Sequence, residues 1–177
     1  MNSQNNIYFF GFAFAVFLGL KLLLKNFDTQ QLYFLLMPTA EIIEILTGSQ
    51  SVFIENEGFY FSSLDTLINK DCSGYNFWLL SFLVFSFLLI RFSRSNVIKL
   101  LSVPAALLAA KVFTFFANSS RIYASVVLQK QNIFSGFISE SRLHDCIGIF
   151  MNLFFLVAVY WLLERILIKF FDYEKLA

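Results

Sequence analysis

Three residues of this 177-residue chain carry side chains suited to acyl transfer: Cys72 in NKDCSGYNFW, Arg121 in FFANSSRIYAS and the single histidine, His144, in SRLHDCIGIF. A thiolate is a strong nucleophile, and an imidazole moves protons near neutrality. A guanidinium has two roles open to it: lowering the pKa of a thiol, or binding a carbonyl oxygen that is becoming an oxyanion. Each residue also has an ordinary structural use. A Cys beside an apolar stretch is commonly an inert filler, an Arg at the end of one anchors at lipid headgroups, and a lone His there is a rim residue. What raises all three is their combination, because a nucleophile needs a base and an oxyanion partner within hydrogen-bond reach.

Around them stand residues that could support the chemistry. Ser73 and Gly74 follow Cys72 where an apolar helix begins, and the free N–H groups of a helix N-terminus favour a thiolate. Asn118 and Asp145 are supporting candidates, although Asp145 is next to His144 in sequence and points about 100° away from it on a helix. Lys111 lies about 15 Å along a helix from Arg121, deep in an apolar stretch, and Glu41 and Glu44 are carboxylates with which it could form an intramembrane ion pair. No metal site is expected, since His144, Asp145 and Cys146 are consecutive and cannot face one ion from a regular helix. The two cysteines, Cys72 and Cys146, leave room for one bridge or for a reactive thiol.

The elements that must hold these residues are set by composition. Hydrophobic residues make up 58% of the chain and charged residues 14%, with 25 Phe; ordinary globular domains run near roughly 45–50% and about 25%. A compact body of this size has too little interior to hide that much apolar surface, so the chain reads as an all-α polytopic membrane protein. A net charge of +1 offers no basic field for a nucleic-acid backbone. Apolar stretches at 7–25, 31–48, 73–91, 97–118 and 145–168 suggest about five transmembrane helices in a single domain, the first retained rather than removed as a signal peptide. The stretch at 31–48 is short and carries Pro38, Glu41 and Glu44.

Arg91, Arg94 and Lys99 crowd the loop between the third and fourth stretches, which places that loop on the cytoplasmic side. Charge parity then favours a crossing at 31–48, with the N-terminus outside. Residues 49–72, residues 118–145 and the ends of three spans meet at the outer surface. Within the first of these, SVFIENEGFYF alternates about Asn56-Glu57-Gly58 as a small hairpin that would cover the site.

The sequence CSG at Cys72 to Gly74, NSSRI at Asn118 to Ile122 and HDCIG at His144 to Gly148, in that order and each beside an apolar span, resembles the exosortase/archaeosortase family. It is most similar to the compact, single-domain exosortases of the exosortase K kind. The resemblance runs from LLMPTAEIIEILTG through the last span. It implies a membrane-embedded cysteine protease or transpeptidase of the bacterial inner membrane, with its active site at the outer face and no cofactor. Its protein substrates would carry a C-terminal sorting signal: a Pro-Glu-Pro type motif, a hydrophobic helix and a basic cluster. Carried over, Cys72 matches the nucleophile, Arg121 the arginine and His144 the histidine. Two other readings stand beside it. One is an outer-face thiol redox protein using Cys72 and Cys146, against which stands the lack of a CxxC pair. The other is a non-enzymatic scaffold whose polar residues only pack helices.

Overall fold

The computed structural model describes residues 3–130 and 140–176, with side chains over 6–128 and 146–170. In chain order the elements are α1 (Ser3–Lys25), α2 (Tyr33–Thr47), β1 (Val52–Ile54), β2 (Gly58–Phe61), β3 (Thr66–Ile68), a 3-10 turn (Lys70–Cys72), α3 (Tyr75–Phe92), α4 (Asn96–Lys130) and α5 (Glu140–Leu176). Among the described residues four helices, α1, α3, α4 and α5, are long and apolar enough to cross a membrane. Only 11% of the most apolar window of α1 and 6% of that of α5 is buried within the fold. Faces this apolar and this exposed require lipid as their solvent.

Two expectations change. The stretch at 31–48 folds as a helix of 15 residues, about 22 Å long at 1.5 Å per residue. That is short of the roughly 30 Å hydrocarbon core, so four helices rather than about five have the length to cross. The fourth stretch does not end near Asn118 either. α4 continues unbroken to Lys130, through Pro104 and past Arg121, so the polar run NSSR is a piece of helix and not the start of a loop.

The chain divides into two compact units, one of Met1–Lys25, Asn76–Phe113 and Phe155–Ala177, the other of Asn26–Tyr75 and Thr114–Phe154. The first is helical. Phe113 of α4 is its aromatic centre, with Phe77 at 5.7 Å, Phe85 at 5.8 Å and Phe155 at 6.2 Å between ring centroids. Trp78 donates its indole N–H to the Leu107 carbonyl at 3.0 Å, which satisfies the one polar atom of a buried ring. Arg91 at the end of α3 pairs with Glu164 of α5 at 3.1 Å.

The second unit holds α2 and an antiparallel sheet ordered β1-β2-β3. Leu35, Leu36, Ala40 and Ile43 of α2 are buried, as are Phe59 and Phe61 of β2, and α2 packs on that strand. Tyr33, Phe53 and Phe59 cluster with ring centroids 5.1–5.6 Å apart, Tyr33 meeting Phe53 edge-on and the other two pairs tilted. The hairpin forms with Phe53 opposite Phe59, turning through Asn56 at φ 63°. Gly58 has φ +127°, and a Cβ there would collide with the Ile68 carbonyl oxygen, so β3 closes over it only because it is glycine. β3 has no counterpart in the sequence pattern, yet it hands the chain directly to the turn that ends at Cys72.

Candidate active site

Asn69 starts that turn from an extended conformation, and its side-chain oxygen accepts the Asp71 N–H at 3.0 Å. The Cys72 N–H donates to the Asn69 carbonyl at 3.0 Å and the Ser73 N–H to that of Lys70 at 3.1 Å. These bonds close one tight turn. Gly74 follows with φ +71°, in the left-handed region, and α3 begins at Tyr75. Cys72 is therefore presented on a rigid corner just before a helix N-terminus.

α4 supplies the other wall. Asn118, 2% exposed, donates through Nδ2 to the Cys72 carbonyl at 2.6 Å. A Cβ built on Gly74 would lie 2.9 Å from Asn118 Cγ, so the backbone presses against the carboxamide. Arg121 is three residues further along α4, on the same face. Burial is the strongest influence on the Cys72 thiol and disfavours its thiolate; the charge of the Arg121 guanidinium opposes burial, and the Asp71 carboxylate adds to it. Among the described residues, Arg121 Nε and Nη2 are buried without a hydrogen-bond partner. Those two N–H groups form the side-on fork that binds two oxygens of one anion or a single oxyanion.

α5 meets the same guanidinium. A Cβ on Gly148 would stand 3.2 Å from Arg121 Nη1, so the glycine makes room for it. His144 and Asp145 precede Gly148 by four and three positions in α5; their side chains lie outside those described. Cys146 is two positions from Gly148, hence on the opposite side of the helix. It is exposed, and both cysteines are free.

The structure thus joins Cys72, Gly74, Asn118 and Arg121, and adds Gly148. Ser73 is buried, and its hydroxyl has no hydrogen-bond partner among the described residues. Glu44 turns elsewhere: it accepts from Ser51 Oγ at 2.6 Å and Ser51 N–H at 2.8 Å, and these bonds hold its carboxyl below the usual range. Glu41 is exposed, and Lys111 belongs to the other unit. Two residues are not evident from the motifs. Thr114 and Ser125 are buried and continue the face of Asn118 and Arg121. The spacing Thr114, Asn118, Arg121, Ser125 is the available signal, a polar stripe at helical period in an apolar chain. Among the described residues no three His, Cys, Asp or Glu side chains gather as metal ligands. No family model, no curated protein and no solved structure matches this chain.

Proposed function

We propose that this chain is a membrane-embedded cysteine peptidase or transpeptidase that cleaves a C-terminal sorting signal of exported proteins at the outer face of a bacterial inner membrane. The observation that carries the reading is the charge of Arg121 opposing the burial of the Cys72 thiol, with Arg121 Nε and Nη2 buried and, among the described residues, without a hydrogen-bond partner. That is the charge arrangement needed by a nucleophile whose attack creates an oxyanion. The exosortase-like order of CSG, NSSRI and HDCIG supports it.

In this mechanism the Cys72 thiolate attacks the scissile carbonyl carbon, a C–S bond forms, and the carbonyl oxygen takes up the electron pair beside Arg121. Collapse of the tetrahedral adduct breaks the C–N bond, and His144 delivers the former thiol proton to the leaving amine. Water or an amine then resolves the thioester. Hydrolysis makes the chain a protease; aminolysis makes it a transpeptidase.

With four crossings and the loop of Arg91 and Arg94 in the cytoplasm, both termini are cytoplasmic and Cys72 is outside. Lys25, at the end of α1, then falls outside against the charge rule.

The test is co-expression with a C-terminally tagged protein bearing a hydrophobic sorting tail and a basic end, at matched membrane levels. Cys72→Ala, Arg121→Ala and His144→Ala are expected to abolish the mobility shift while Cys146→Ala retains it. Processing by Cys72→Ala overturns the reading. A need for both cysteines together favours the thiol redox alternative instead.

A further inference from the structure

We infer that Asn118 is the positioning residue of this site: its side-chain amide holds the Cys72 carbonyl and thereby keeps the thiol on Arg121. The inference rests on the thiol and guanidinium being the working pair proposed above. A carbonyl can only accept, so the 2.6 Å bond fixes the amide with Nδ2 towards Cys72. The bond joins residues 46 positions apart, tying the 3-10 turn to α4. The backbone also wraps the carboxamide from the other side: a Cβ on Gly74 would meet Cγ, Nδ2 and Oδ1 of Asn118 at 2.9, 3.2 and 3.2 Å. The turn is thus held at the carbonyl of Cys72 and at the hinge two residues later.

What makes this hold specific is its place on α4. Asn118 and Arg121 are three residues apart, so one face of one rigid helix carries both the hook for the backbone and the cation for the side chain. Distance between thiol and guanidinium is then set by helix geometry. The charged groups acting on the thiol are Arg121 from α4 and Asp71 from its own turn, with positions 144 and 145 of α5 one turn before Gly148. Freed from the amide, the turn pivots at Gly74, whose left-handed conformation makes it the soft point, and the thiol leaves its cation.

The experiment uses the full chain in membranes with Cys146→Ser, so that Cys72 is the single thiol, and reads the rate of its alkylation by iodoacetamide at neutral pH. Arg121→Ala is expected to slow alkylation severalfold, because the thiolate loses the cation that offsets its burial. Asn118→Leu keeps the branched shape but not the donor, and it is expected to slow alkylation to a similar degree. Combined with Arg121→Ala it adds nothing further, because both changes break the same pair. Asn118→Ala, which removes shape and donor together, is expected to behave as Asn118→Leu does. Three results overturn the inference: a parent-like rate for Asn118→Leu, an equal further loss in the Arg121→Ala background, or a faster rate in both backgrounds from loosened packing. The sorting-tail assay separates the two ideas. If the parent processes no tail but the alkylation cycle holds, the function fails and Asn118 keeps its role. If processing needs Cys72 and Arg121 but is untouched by Asn118→Leu, the function stands and this inference falls.

Discussion

Two glycines shape the candidate site as closely as its thiol and charged side chains do. Gly148 leaves the space that Arg121 Nη1 occupies at 3.2 Å from the missing Cβ. Gly148→Val is therefore expected to displace the guanidinium and reduce tail processing as far as Arg121→Ala does, with little change in expression, as read by gel shift and by immunoblot of membranes. Gly74 has a different burden, since its φ of +71° costs an L side chain about 1–2 kcal/mol before any overlap with Asn118. Gly74→Ala should lower the thermal midpoint in detergent as well as activity, and a parent-like midpoint would show that the backbone conformation carries no such cost. The candidate residues are legible by type, because a Cys, an Arg and a His beside apolar spans are few and chemically distinct. The glycines are legible only as members of motifs, since what a missing Cβ makes room for depends on residues distant in the chain.

At the scale of elements, long windows with one charge or none announce α1, α3 and α5, because nothing but lipid accommodates so long an apolar run. α4 looks shorter in sequence than it is, for an instructive reason. Asn118, Ser119 and Arg121 resemble the polar end of a span, yet Asn118 and Arg121 lie on one face with Thr114 and Ser125 of a helix that runs on to Lys130, so polarity there marks a buried face and not a boundary. α2 is ambiguous in sequence because apolar content and length disagree, and length decides. β3 is three residues long, too short for any period to register. The bond between Glu44 and Ser51 ties the end of α2 to the strand that follows, and its pH dependence has a definite sign. Glu44 is depressed below its ordinary value, so its contribution is present above the unfolded pKa and disappears as pH falls through the lower, folded one. Ser51→Ala is expected to cost on the order of 1 kcal/mol near neutrality and to flatten the acid limb of stability below about pH 5. Thermal unfolding in detergent from pH 3 to 7 checks both, and parallel acid limbs would show that Glu44 does not act through Ser51.

For the whole molecule, the count of crossings decides where the ends lie. Four crossings put the N-terminus on the same side as the loop of Ser93 to Ser95, whereas a crossing by α2 would separate them. Reporter fusions at the N-terminus and at Ser95 are expected to give the same cytoplasmic signature, with a fusion at Gln50 giving the opposite one. Opposite signatures at the first two sites would restore α2 as a span. The unit that holds the site is itself assembled from two segments, Asn26–Tyr75 and Thr114–Phe154, with the helices of the other unit intervening in sequence. Such interleaving sets an order on biosynthesis. Cys72 is made 46 residues before Asn118, so for a stretch of translation the nascent chain carries the cysteine without the α4 residues that face it. The proposed pairing of thiol and guanidinium becomes possible only with the second half of α4, after the first helices have been made.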